Sequence, residues 1–335
     1  MEEQTGKKVI LSGIQPTGTF TLGNYIGAVR NWDRMQQDYD CAYFVADLHS
    51  LTVRQEPGAL KKNTLEAVAL LLACGIDPEK SLLFVQSHVR AHAELGWILD
   101  CNALFGELTR MTQFKDKSAQ HTDNVNAGLF TYPVLMAGDI LLYQADYVPV
   151  GADQKQHLEF TRNLAERFNN LYGEVFKVPE PYIAKNGAKV MSLQDPTRKM
   201  SKSDENLNGF VSILDEPNVI MNKFKRAVTD SETEVVYREG KDGINNLMTI
   251  YSVITGKSYD DITAEFAGKG YGDFKKAVGE VVVDALAPIR EEFGRLIQDK
   301  AYLEKVCNDG AAKASYVAEK TLAKVKKKVG LYIVK

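Results

Sequence analysis

No apolar run in this sequence is long enough to cross a bilayer: the longest, residues 67–76, falls well short of the ~20 that a spanning helix needs. Acidic Met1-Glu2-Glu3 stands where a secretory leader would carry base, so a cytoplasmic protein with no membrane partner is expected. Cysteine is scarce too. The four thiols, Cys41, Cys74, Cys101 and Cys307, are scattered and form no C-x-x-C pair, which fits small reduced side chains better than a disulfide framework or a zinc site. Charge of one sign is also lacking. A formal net charge of -3 gives no global nucleic-acid footprint, so an RNA partner would have to be held by local basic patches.

Several chemical signatures are missing as well. Gly256-Lys257-Ser258 has Tyr251 where a P-loop needs its first glycine, and Gly268-Lys269-Gly270-Tyr271-Gly272 misses the dinucleotide spacing. His88 and His92, four apart, could share a helix face, yet no glutamate completes an H-E-x-x-H pattern, and no metal ligands are assigned. There is no Gly-x-Ser-x-Gly elbow. Catalysis by positioning and charge is therefore expected rather than a covalent enzyme intermediate.

At 335 residues the chain has room for about two domains. Short apolar runs at 9–12, 41–46, 81–86 and 147–150 each lead into polar or helical segments, and strands alternating with helices imply a parallel sheet. Ligands gather at the carboxyl ends of such strands, which here carry Gly13, Asp47 followed by His49, Gln86, and Gly151 with Asp153. Beyond Asp215 everything reads as helical. Pro217 opens a helix expected to run through Ile220, Phe224 and Val228, Ser258 and Asp261 form a capping box, and a long apolar stripe from Phe274 to Leu296 passes Pro288. In the last segment Ala318, Leu322, Val325 and Val329 share a face, and the lysines around them suit a solvated surface or an RNA contact equally.

Three segments could do chemistry. Arg198-Lys199-Met200-Ser201-Lys202-Ser203 is a cationic loop; it suits a mobile clamp for a triphosphate, although such loops also occur as plain surface. At the first strand-helix junction, Gln15-Pro16-Thr17-Gly18 and Thr21-Leu22-Gly23-Asn24 offer a close backbone approach and a helix N-terminus to phosphate, or else structural glycines and a cap. Asp139 lies in an otherwise apolar helical stretch with Tyr132, Met136 and Ile140. It must meet either an internal donor or a ligand with a single N-H.

Taken together and in this order, these segments resemble the class I aminoacyl-tRNA synthetases, specifically the bacterial-type tryptophanyl-tRNA synthetases. Lys199-Met200-Ser201-Lys202-Ser203 reads KMSKS, and Thr21-Leu22-Gly23-Asn24 stands where the class has its HIGH signature, in this subfamily's usual Thr-x-Gly-Asn form. Further matches are Ser12-Gly13-Ile14-Gln15-Pro16, Met111-Thr112-Gln113-Phe114-Lys115, Asp139-Ile140-Leu141-Leu142-Tyr143, Asp153-Gln154-Lys155-Gln156-His157 and Ala227-Val228-Thr229-Asp230-Ser231. Gly138 and a few extra residues before Val9 are the small departures.

The resemblance implies a Rossmann-like α/β catalytic domain over 1–194, the KMSKS loop and a smaller all-helical anticodon-binding domain over 195–299, and a C-terminal helical segment over 300–335 that returns to the catalytic domain. It implies activation of L-tryptophan with ATP and magnesium, transfer to tRNA(Trp), and a homodimer. Asp139 would accept the indole N-H, with Tyr132, Met136, Gln154 and His49 lining the amino-acid pocket. ATP would be met by Gln15, Pro16, Thr17, Gly23, Asn24, Gly151, Ala152, Asp153, Val190 and Lys199, Met200, Ser201, Lys202 and Ser203. Lys199, Lys202, Thr21 and Asn24 would act in catalysis, with Lys115 and Lys117 as further phosphate ligands. A tyrosyl-tRNA synthetase, or a non-catalytic relative that only binds, is the alternative.

Overall fold

The computed structural model describes residues 6–120, 125–151, 154–182, 188–202 and 204–333. Five parallel strands, β1 (Val9–Ile14), β2 (Asp40–Val45), β3 (Leu82–Val85), β4 (Tyr147–Pro149) and β5 (Glu180–Tyr182), form one sheet in the order β3-β2-β1-β4-β5. The chain winds outward from β1 to β3, then returns to lay β4 on the other side of β1. That reversal opens a crevice at the carboxyl ends of β1 and β4, the usual ligand position in a doubly wound sheet.

Alternation along the strands builds two cores. Ile10, Tyr43, Val45, Leu83 and Val85 face one side with the helix Pro57–Ala73, and that core runs on without a break into Ile220, Phe224, Leu247, Phe274 and Val278 of the later helices. Leu11, Ala42, Phe44, Phe84 and Val148 face the other side, under the helices Ala91–Asp100, Ala127–Leu142 and Lys155–Tyr172. Local chemistry sets the helix starts. Pro57 sits in the first turn with the Glu56 side chain accepting from the Gly58 and Ala59 N-H groups, and Asn126 caps Ala127–Leu142 through the Leu129 N-H.

The helix Lys300–Lys328 closes the fold. Its first half packs Leu303, Val306 and Cys307 into the first core and its second half packs Ala314, Ala318, Leu322 and Val325 into the second, so it crosses the edge strand β3 between them. Gly310 lies at the crossing, where a Cβ would collide with the Leu83 carbonyl. The helix thus covers an otherwise unpaired strand edge. Among the described residues no helix is long and apolar enough to cross a membrane. Cys41, Cys74 and Cys307 are buried free thiols, and burial pushes the Cys74 thiol up to about 12.

Two sequence expectations are corrected. The helix that Pro217 opens ends at Lys225, before Val228. The backbone beyond it is held by a different force: the buried Lys241 ammonium donates to the Tyr271 hydroxyl at 2.6 Å, pairs with Glu232 at 2.8 Å and reaches Asp230 at 3.4 Å. His88 and His92 do not share a helix either. His88 ends a short 3-10 turn, Gln86–His88, whereas His92 lies inside Ala91–Asp100 with no exposed surface. Both expected capping and packing features of the C-terminal half are present, since Ser258 and Asp261 make a reciprocal capping box and Phe274, Val278, Ile289 and Leu296 are buried.

Candidate active site

Two cavities adjoin at the carboxyl end of β1 and share Ile14 and Gln15. The first, about 380 Å³, is walled by Leu11, Phe44, Ile140 and Val148 among others and is closed at its inner end by His49, Tyr132, Met136 and Asp139, with Gln113 and Gln154 beside them. Gly13 is needed here. A Cβ at that position would lie 2.5 Å from the Phe44 ring.

Asp139 is 1% exposed and fully engaged on one oxygen. Oδ1 accepts from Gln86 Nε2 at 2.7 Å and from His92 Nδ1 at 2.6 Å, while among the described residues Oδ2 meets only His49 Nε2, at 2.7 Å. Burial alone would raise this carboxyl. The facing imidazoles of His49 and His92 outweigh it and hold Asp139 well below the usual carboxylate range, so it stays ionised. Two lone-pair positions on each oxygen leave one acceptor place, on Oδ2, at the cavity wall. Deeper still, the Tyr132 hydroxyl bonds His157 Nε2 at 2.8 Å, which fixes the ring that faces the cavity.

The second cavity, about 310 Å³, is lined by Thr17, Gly18, Thr19, Phe20 and Asn24 on one side and by Lys199, Met200, Ser201 and Lys202 on the other. Thr21 caps the turn Leu22–Asn24 through the Asn24 N-H at 3.2 Å, and the Asn24 side chain accepts from the Thr21 N-H at 3.0 Å. This reciprocal cap orders the turn so that Asn24 lines the cavity, while the Leu22 N-H is taken by the Val211 carbonyl at 2.8 Å. The cationic loop faces it from an antiparallel pairing: Ser192 N-H donates to Arg198 O at 2.8 Å, Met200 N-H to Val190 O at 3.0 Å, and Met191 pairs with Lys199. Lys202 Nζ donates to the Thr17 carbonyl across the gap. Its partial removal from water pulls the ammonium below its ordinary value.

The loop is also tied to the helices. Asn246, on Asp242–Thr255, accepts the Met191 N-H at 2.8 Å and donates to the Met191 carbonyl at 3.0 Å, as a neighbouring strand would. Met191 is in turn the partner of Lys199.

A protein-family model described as tRNA synthetases class I (W and Y) matches residues 3–287. The chain belongs to the class I tRNA synthetases of this W and Y group. It is similar to the tryptophan-tRNA ligase of Clostridium tetani, with 56% identity over 98% of this chain and 98% of that protein. Among solved structures it is similar to the tryptophanyl-tRNA synthetase of Mycoplasma pneumoniae (TM-score 0.89, 38% identity, 97% of this chain and 98% of that one). It is also similar to that of Campylobacter jejuni complexed with ADP and tryptophan (TM-score 0.84, 34% identity, 96% of this chain and 100% of that one).

In this synthetase all five residues expected at the amino acid, Asp139, Tyr132, Met136, Gln154 and His49, line the first cavity. Of those expected at ATP, Gln15, Thr17, Asn24, Lys199, Met200, Ser201 and Lys202 line the second. Pro16, Thr21, Gly23 and Val190 stand behind its wall. Thr21 and Val190 are each 2% exposed, and a Cβ on Gly23 would come to 3.4 Å from the Met200 Cβ, so these residues shape the cavity rather than face it. Gly151 lies just past β4 and accepts from the Gln154 N-H at 3.0 Å. Ala152, Asp153 and Ser203 lie outside the described residues, as does the side chain of Lys117; exposed Lys115 lines neither cavity.

Sequence reasoning missed Gln113, which lines the first cavity, and the roles of Gln86 and His92 as partners of Asp139. A signal for His92 existed in Gly138. A Cβ there would sit 3.4 Å from the Gly96 nitrogen and 3.6 Å from the His92 carbonyl, so the two helices run close together at this point, which brings His92 onto Asp139.

Proposed function

We propose that this synthetase is a tryptophan-tRNA ligase: it joins L-tryptophan to ATP as tryptophanyl-adenylate with release of pyrophosphate, then passes the acyl group to the 3'-terminal adenosine of tRNA(Trp). The observation that carries the reading is the single open acceptor place on buried, ionised Asp139 in an apolar, aromatic-walled cavity. It matches a flat apolar side chain with one N-H. Tyr132, Met136, Gln154 and His49 complete that pocket, and the α-carboxylate is directed toward the shared wall at Gln15.

The carboxylate oxygen attacks the α-phosphorus, the bond to the bridging oxygen breaks, and pyrophosphate leaves with the electron pair. Lys199 and Lys202 offset the charge that gathers on it, while Asn24, held by its reciprocal cap with Thr21, faces them across the cavity. Among the described residues no group of three His, Cys, Asp or Glu side chains could hold a metal, so magnesium is assigned to the triphosphate with which it arrives. The residues of 1–194 would form the catalytic domain, 195–299 the loop and the tRNA-binding helices, and 300–335 the returning segment. A cytoplasmic site of action follows from the tRNA substrate.

Trp97, Leu104 and Phe105, 70%, 53% and 72% accessible, are large apolar side chains suited to cover by a second copy of the chain. Phe105→Asp is expected to give a monomer in sedimentation where the wild type is a dimer; equal masses would remove these side chains from the interface. Asp139→Ala is expected to weaken tryptophan by roughly 5- to 150-fold, the ~1 to 3 kcal/mol scale of a lost buried hydrogen bond, with ATP affinity unchanged. Unaltered tryptophan affinity in direct titration would contradict the pocket assignment.

A further inference from the structure

We propose that His92 is a positioning residue for substrate selection: with Tyr143 behind it, it aims Asp139 so that only the Oδ2 acceptor faces the amino acid. The proposal rests on the tryptophan reading of the first cavity and adds to it the device that makes the cavity selective.

The chain of contacts fixes the proton on the ring nitrogen that faces Asp139. Ionised Asp139 can only accept, so His92 Nδ1, 2.6 Å from Oδ1, carries a proton. At its other nitrogen, His92 Nε2 lies 2.9 Å from the Tyr143 hydroxyl. Burial and the Asp139 charge push that phenol far above its ordinary value, so it remains a donor. Tyr143 thus holds the far side of the ring, and the Nδ1–H on the near side is given to Asp139. Gln86 acts alongside it. Because the Gln86 side-chain oxygen accepts the Leu48 N-H at 3.2 Å, its amide nitrogen must be the group aimed at Oδ1, at 2.7 Å.

The ring is also held by its faces. Phe44, Phe84 and Tyr143 stand 6.0, 5.7 and 5.6 Å from it by ring centroids, and His92 has no exposed surface. It lines neither cavity, so its effect on an amino acid must pass through Asp139. With Oδ1 filled by two fixed donors, the carboxylate cannot turn, and Oδ2 keeps one place beside His49. Without His92, Oδ1 would regain an acceptor position and the plane of the carboxylate would be set by Gln86 and His49 alone. Discrimination for an N-H in the substrate should fall.

The test compares tryptophan with its benzothiophene isostere, in which sulfur replaces the indole N-H. The ratio of kcat/KM for the two in adenylate formation is measured for wild type, Asp139→Ala, His92→Leu, His92→Asn, His92→Gln and Tyr143→Phe. Asn places its amide N-H near the position of the imidazole Nδ1, and Gln places it near Nε2. The expected result is a fall in the ratio of about tenfold or more for Asp139→Ala and His92→Leu, the scale of a misaligned charge-assisted hydrogen bond. His92→Asn should recover most of it and His92→Gln should not. KM for ATP should stay within about twofold of wild type in every His92 and Tyr143 variant, because the second cavity is untouched. If Asp139→Ala loses discrimination while His92→Leu keeps it, the positioning role is overturned and the tryptophan reading stands. If Asp139→Ala keeps discrimination, both fail. Should His92→Leu not fold, His92→Asn and Tyr143→Phe decide: equal ratios for Asn, Gln and wild type, with Tyr143→Phe unchanged, would overturn the proposal.

Discussion

Lys202 and Asp139 are the two charged groups on which the proposed chemistry turns, Asp139 buried at the first cavity and Lys202 partly withdrawn from water at the second. Lys202 spans the second cavity to the Thr17 carbonyl and has its pKa drawn down by burial. Its contact should matter most while charge gathers on the leaving pyrophosphate. Lys202→Ala is therefore expected to slow adenylate formation by about 100-fold or more in single turnover, with the tryptophan Kd unchanged. Equal losses in both would make it a binding residue only. At this scale the sequence was readable wherever a motif kept its chemistry together along the chain: five expected amino-acid contacts line one cavity and seven expected nucleotide contacts the other. It was not readable for Gln86 and His92. Each meets Asp139 from a different element, 53 and 47 positions away, Gln86 from the turn after β3 and His92 from the helix that runs close to the Asp139 helix at Gly96 and Gly138.

Elements are fixed here by a few polar pins as much as by apolar packing. Asp146, at the start of β4, accepts the Val9 N-H at 2.9 Å and meets Lys8 and Lys177 at 3.0 and 3.1 Å, so it ties β4 to β1 beneath the crevice. Burial would raise its carboxyl, but the Val9 N-H and the two lysines outweigh that and lower it. A lowered folded pKa gives stability that is present above the unfolded value, near 4, and is lost as pH falls through the folded one. Asp146→Ala should then cost about 1 to 3 kcal/mol in urea unfolding at neutral pH, and the gap from wild type should narrow below about pH 4. A gap that does not change with pH would refute the charge argument. The strands themselves were plain from their apolar runs. The overrun at Val228 was not avoidable from periodicity, since the following segment is organised by the buried Lys241 and its partners rather than by a helical face.

Over the whole molecule, the cationic loop, the helices and the sheet share one continuous core, and the domain divisions read from sequence fall within it. The Asn246 clamp on Met191 ties the loop's hairpin to the helical part, while Gly310 lets the last helix cross and cover the β3 edge. Sequence periodicity marked the last helix and its apolar face, but where it crosses depends on how near two backbones can come. The adjoining cavities make one demand on the molecule as a unit: the amino acid and the nucleotide must be held at once, with Ile14 and Gln15 between them. The most direct measurement is ATP-pyrophosphate exchange by the full chain with tryptophan, with tyrosine and with no amino acid. Exchange that requires tryptophan, with tyrosine no better than the blank, is the result expected; exchange driven equally by tyrosine, or none from well-folded protein, would contradict the account.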